Sequence, residues 1–165
     1  MGDITKDSEI YINSAINYLT NAGKNQSRFI EKGTFILSNS GATLGVPKIL
    51  NLSGCINDGI VAIQRLDSEL ISKYFLYYYF ASQTNRLRDE LNQGATQPNL
   101  NTDLVKQLPV PLPNINEQKL IVDFIQVQNE KINKAINNAQ ESILKLIEYK
   151  TTLIDHAVIG KIKVS

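Results

Sequence analysis

Residues 108–118 read Leu108-Pro109-Val110-Pro111-Leu112-Pro113-Asn114-Ile115-Asn116-Glu117-Gln118, and they divide the chain into two unlike parts. Proline has no N–H to give to a sheet and pushes the residue before it toward extended geometry, so prolines at alternate positions exclude a central strand. Leu108–Pro113 therefore reads as an edge strand or an extended linker. Beyond it neither Gly nor Pro occurs until Gly160. Asn116 is placed to cap a helix starting at Glu117, and helical spacing continues to about Val158. Such a helix, about 60 Å long at ~1.5 Å per residue, exceeds what a compact domain of this size needs.

Along that helix Ile125, Ile132, Ala139, Leu146 and Leu153 recur every seven residues, and Asn129, Ile136, Ile143, Lys150 and Ala157 follow at an offset of four. A seven-residue apolar repeat keeps one stripe turned toward a partner helix. The expected pairing seam is Ile125, Asn129, Ile132, Ile136, Ala139, Ile143, Leu146 and Leu153; Asn129 would set register, and Lys150 interrupts the stripe. A single helix cannot bury this stripe against itself. The partner is a second copy, another subunit, or the domain the helix would otherwise lie across.

Upstream of the prolines the texture is mixed. Thr34–Ser38, Pro47–Leu52 and Gly59–Gln64 have strand composition, with the loop Asn39-Ser40-Gly41-Ala42-Thr43-Leu44-Gly45 between the first two. Asp67 or Ser68 starts a helix that runs to about Gln93, Asn101 or Thr102 starts a short one ending at Gln107, and Ser14–Ala22 suggests another closed by Gly23. The fold class is α+β: a small mixed α/β domain over residues 1–113, then a long helix of coiled-coil type over 114–165.

Composition narrows the function. Seventeen Lys and Arg against sixteen Asp and Glu give a net charge of +1 over 165 residues, which excludes a strongly basic domain but not a local basic groove. One cysteine, Cys55, rules out an internal disulfide framework, and one histidine, His156, leaves little material for a His-based triad or metal cluster. No phosphate-cradling Gly-Lys-Ser/Thr loop is present, so no catalytic, metal or cofactor residue is assigned. No apolar run approaches the ~18 residues of a membrane span, and the N-terminus lacks a signal peptide's layout, so a cytoplasmic location is expected.

Two loops carry the most information. Gly41–Gly45 and Gly94-Ala95-Thr96-Gln97 both join Gly to Thr and small residues, flanked by amides and hydroxyls. Gly lets a backbone approach a surface closely, while Thr, Asn and Gln reach phosphate oxygens or base edges. Ordinary turn chemistry also accounts for each loop taken alone. The candidate DNA contacts are Ser38, Asn39, Ser40, Thr43, Gly94, Thr96 and Gln97, with Arg86 and Arg88 for phosphates and Lys48 and Arg65 as weaker additions. Tyr74, Phe75, Tyr77, Tyr78, Tyr79 and Phe80 resemble a base-stacking platform, but rings that wrap right round a helix belong mostly to a core.

In this order, Lys32–Ser38, Gly41–Gly45, Ile56-Asn57-Asp58-Gly59, Gly94-Ala95-Thr96-Gln97-Pro98-Asn99-Leu100, Leu108–Pro113, Glu117-Gln118 and the closing Ala157–Ile162 resemble the DNA-specificity subunit of type I restriction–modification enzymes. The resemblance implies a target-recognition domain followed by a conserved helix. In that family two such units read the halves of a split double-stranded DNA target, and antiparallel helices set the gap. It also implies docking to methyltransferase subunits and, through them, to the restriction subunit. S-adenosylmethionine and the catalytic residues would belong to the methyltransferase, making this chain non-catalytic and free of cofactor.

The chain holds one recognition domain and one helix, half the family pattern, and its beginning lacks the Trp-containing entry segment. A homodimer or pairing with another specificity subunit is therefore expected. The alternative is an assembly or interference protein that acts through its helix without recognising DNA.

Overall fold

The computed structural model describes residues 4, 9–92 and 99–163, and of residues 90–92 the backbone alone. Two compact units emerge, Met1–Val122 and Asp123–Ser165. The first is built on a four-stranded sheet and a two-stranded one. In the larger sheet β1 (Tyr11–Ile12), β3 (Phe35–Ser38), β4 (Pro47–Leu50) and β6 (Ile60–Ile63) take the order β1-β4-β3-β6. β1 runs parallel to β4, and the other pairs are antiparallel. The smaller sheet pairs β2 (Arg28–Ile30) with β5 (Gly54–Ile56), Arg28 opposite Ile56 and Ile30 opposite Gly54. The α+β expectation holds.

All four residues of β3 are buried, because it lies between two strands with a core on each face. Side chains alternate across a strand. Phe35 and Leu37 thus join Leu44, Ile49, Leu76, Tyr77, Phe80, Leu87 and Leu100 in one cluster, and Ile36 joins Ile4, Ile30, Val46 and Leu50 in another. The first cluster takes its helical share from α2 (Lys73–Asn92). Phe75, Tyr77 and Phe80 are buried, Tyr78 and Tyr79 half-buried, and Tyr74 is 38% exposed. The aromatic run is mainly core, as helical wrapping requires.

Local chemistry moves several boundaries. The short helix α1 occupies Asn21–Asn25 rather than 14–22, since Thr20 supplies the cap: its hydroxyl accepts from the Gly23 N–H at 3.2 Å, which leaves Gly23 inside the helix. Asp67 closes a separate turn, with Oδ1 accepting from Glu69 N and its carbonyl from Leu70 and Ile71 N, so α2 begins only at Lys73. α3 (Thr102–Gln107) is capped by Asn101, whose Oδ1 accepts from Asp103 and Leu104 N. Leu108–Pro113 forms no strand and is the extended connector.

The long helix α4 spans Ile115–Val158, 44 residues. Asn114, not Asn116, caps it, its side-chain oxygen accepting from Glu117 N at 3.0 Å. The cap lies earlier because Gln118 locks the first turn. This side chain is wholly buried; its Oε1 accepts from Ser72 N, and its Nε2 donates to Leu70 O and Pro113 O, each at 2.8 Å. Replacing Gln118 by Ala leaves three backbone groups without their partner. We expect Gln118→Ala to lose about 3 kcal/mol of stability, read as a lower urea midpoint with an unchanged slope; a loss under about 0.5 kcal/mol, the range of ordinary surface changes, would contradict this role.

Candidate nucleic-acid interface

The loop between β3 and β4 is braced from several sides. Gly41 (φ 68°) and Gly45 (φ 78°) adopt the left-handed conformation that side chains with a Cβ resist, and between them Gly41–Thr43 make one 3-10 turn. Ser38 and the loop close on each other: Gly45 N donates to Ser38 O at 2.8 Å, and Ser38 N to Val46 O at 3.0 Å. The Ser38 and Thr43 hydroxyls lie 2.9 Å apart, and Leu44 is driven fully into the core.

α2 holds this loop from the side. Thr84 Oγ1 lies 3.0 Å from Gly45 O, and the Arg88 guanidinium donates through Nε and Nη2 to Leu44 O at 3.3 and 3.1 Å. At the loop's start Asn39 N donates to Gly59 O, and Asn39 Nδ2 to Asp58 O at 2.6 Å. Its carbonyl accepts from Leu100 N at 2.7 Å, and Ser40 bridges Asn99. The loop thus lies beside the segment that follows Gly94, Thr96 and Gln97, which themselves lie outside the described residues. Asn39 Oδ1 is buried and has no partner among the described residues.

The structure brings Ser38, Asn39, Ser40, Thr43 and Arg88 together, but with different duties from those expected. Ser38 is fully buried and Asn39 is 8% exposed, so both shape the loop from within; its outward face is Ser40, Gly41, Ala42 and Thr43. Lys48 is a correction. It is 1% exposed, its register partner is Ile36, and its ammonium donates to Glu9 O, so it is not available to a phosphate. Sequence gave no warning, because an inward residue of a buried strand is recognised only once both flanking strands are in place.

Arg86, two residues from Arg88 and so about 200° round the helix, is exposed on another face, with Nη1 3.4 Å from Gln83 Oε1. It does not join the loop cluster. Thr84 was missed altogether: its contact with Gly45 spans 39 residues and carries no local signal. Tyr11 is pushed up to about 12, first by the hydrogen bond to the Tyr74 hydroxyl 2.6 Å away, then by burial, and stays neutral through the physiological range. Among the described residues no group of three or more His, Cys, Asp and Glu gathers to hold a metal, and no helix is long and apolar enough to cross a membrane.

In the second unit α4 presents its stripe openly: Ile132, Ile136, Ile143, Leu146 and Leu153 are all exposed, as are Asn129 and Ala139, while Ile125 is half-buried. The residues flanking the stripe, Gln126, Gln128, Asn133, Ala135, Gln140 and Ser142, carry no charge. Glu130, Lys131, Lys134, Glu141, Lys145 and Glu148 occupy the opposite face. Toward the C-terminus Ile147, Tyr149 and Ile154 widen the apolar arc, and all three are exposed.

Residues 2–142 match the family model described as type I restriction modification DNA specificity domain. Solved structures share the fold. A chain from a structure on complex assembly and conformational transition of the type I R-M system superposes with TM-score 0.67 at 22% identity, over 79% of this chain and 31% of that one. The HsdS subunit from Thermoanaerobacter tengcongensis gives 0.57 at 24%, over 81% and 32%. The type I restriction-modification S subunit from M. genitalium gives 0.52 at 22%, over 94% and 38%. The chain spans about a third of the length of these solved chains.

The clamp on the β3–β4 loop makes a direct test. Gly45→Ala forces a Cβ into the left-handed region, although the nearest atoms, Thr84 Cα and O at 3.6 Å, leave room for it. The expected cost is about 1 kcal/mol, measured by urea unfolding, whereas Ala42→Gly at the exposed apex should cost less than half of that.

Proposed function

The chain belongs to the family of type I restriction modification DNA specificity domains, and on that premise we propose that it recognises double-stranded DNA for a restriction–modification complex. Residues 1–113 act as the target-recognition domain, and 114–165 form the helix that joins it to its partners. Catalysis and S-adenosylmethionine belong to the methyltransferase subunits it docks, and cleavage to a restriction subunit recruited through them. The setting is cytoplasmic, where the DNA is. The observation that carries the reading is the match of residues 2–142 to the specificity domain. The braced loop supports it, since a backbone held at Gly41 and Gly45 offers Ser40 and Thr43 to a groove without an ordering cost at binding.

The exposed stripe of α4 supports pairing. Apolar side chains at seam positions from Ile132 to Leu153 are stable in water only when covered, and uncharged flanks raise no repulsion against an identical helix. Two copies joined through α4 would carry two identical recognition domains, and their target would be a split palindrome. Sedimentation at tens of micromolar should give a dimer, and Ile136→Asp combined with Ile143→Asp should give a monomer. A monomeric wild type, alone and with a methyltransferase subunit, overturns the pairing.

A second reading keeps the helix and drops the DNA: an assembly or interference protein that occupies methyltransferase or full-length specificity subunits. It is favoured by the engagement of Lys48 and Arg88 with protein carbonyls. Selection of a preferred sequence from a random duplex library by the complex with methyltransferase supports recognition. Only weak, sequence-independent retention supports interference.

A further inference from the structure

Positive charge gathers at the other end of β3 from the loop described above. An open cleft of about 530 Å³ is lined by Lys32, Arg65 and Lys73, with Phe29 and Gly33 beside them and Glu31 the one carboxylate among the lining residues. Lys73 is the first residue of α2, where the helix dipole is positive and a cation is disfavoured, and no acid occupies that first turn. Its Nζ is turned into the cleft mouth, donating to Gly33 O at 2.8 Å. Lys32 and Arg65 are exposed, and among the described residues their side chains have no hydrogen-bond or ion-pair partner.

Arg65 adds a second, independent sign. Its φ is 57°, and it is the one non-glycine residue among those described with a positive φ. Glycine or asparagine suits that conformation better. A long cation kept there, directly after β6, holds its guanidinium at the cleft against local backbone preference, the kind of strain that collects at binding sites. Three cations thus line the cleft beside a helix N-terminus, with one carboxylate among the lining residues.

We propose that the Lys32–Arg65–Lys73 cleft binds the phosphodiester backbone of duplex DNA. This rests on the DNA-recognition reading above and adds to it a phosphate-holding surface separate from the loop. The cleft is open rather than enclosed, which fits a polymer passing across it better than a small anion held within it. Contacts of this kind position the protein on the duplex and carry no sequence information, leaving base reading to other side chains.

The test uses Lys32→Gln combined with Arg65→Gly. Glycine relieves the φ of 57°, so the variant should keep or raise the thermal midpoint of the wild type. Binding to a labelled mixed-sequence duplex is measured by anisotropy across a salt series. The slope of log K against log salt should fall in magnitude by about two, one for each lost phosphate contact. Inorganic phosphate at matched ionic strength should compete no better than chloride. An unchanged slope in a well-folded variant, with the wild type binding, overturns the cleft alone and leaves DNA recognition standing. Displacement of DNA by micromolar inorganic phosphate makes the cleft a small-anion pocket and also overturns the proposal. A wild type without salt-dependent DNA binding overturns both readings.

Discussion

Gln118 is sealed from water, and both ends of its amide are taken by backbone groups: the Ser72 N–H at the entry to α2, and the carbonyls of Leu70 and Pro113. A buried amide with a missing bond is expensive, and one with three satisfied bonds is stiff. Because its partners come from the turn before α2 and from the end of the proline connector, the same side chain ties the entry to α2, the connector's end and the first turn of α4 together. Asn114 caps α4 one turn ahead of it, while the Asp67 turn sets Lys73 as the first residue of α2 and the prolines keep Leu108–Pro113 out of any strand. Neither Glu nor Leu could replace it in kind: the first has no donor for two carbonyls, and the second has no polar atom.

The recognition unit is organised in turn around β3. Its position between β4 and β6 buries every residue on it, so its two ends are the places where the chain can turn outward without leaving backbone groups unsatisfied. One end opens into the Gly41–Gly45 loop, pinned by Thr84 and Arg88. The other begins beside Gly33 and the basic cleft. The Gly41–Gly45 loop lies at one end of this strand and the cleft lined by Lys32, Arg65 and Lys73 at the other, so in a chain whose net charge is only +1 the positive charge is local.

Much of this was legible in the residues. The strands Thr34–Ser38, Pro47–Leu52 and Gly59–Gln64 occur as β3, β4 and β6 within a residue or two, and α3 starts at Thr102, one of the two expected starts, behind the Asn101 cap. The proline connector and the long helix were also plain, because periodicity and the absence of N–H groups are local properties. The candidate site was read less well. Ser40 and Thr43 lie on the outward face of their loop, but Ser38 and Asn39 turn inward and Lys48 is buried. The two-residue β1 and the pair β2–β5 gave too short a pattern to detect, and the Thr20 cap overrode the apolar spacing of residues 14–22.

The sequence by itself determined the class of this protein: an α+β domain, a proline connector and a heptad helix, in an order of motifs that points to a DNA-specificity module. Those features depend on spacing, turn chemistry and the backbone limits of Gly and Pro, which act over a few residues. Only the tertiary structure decided which polar side chains face solvent. Lys48 and Arg88 look alike as basic residues near a loop, yet one donates to Glu9 O inside the unit and the other to Leu44 O at its edge. Lys32, Arg65 and Lys73 look unrelated and meet in one cleft. The physical reason is that burial and charge convergence are made by contacts across 30 to 40 residues, which no window of sequence contains.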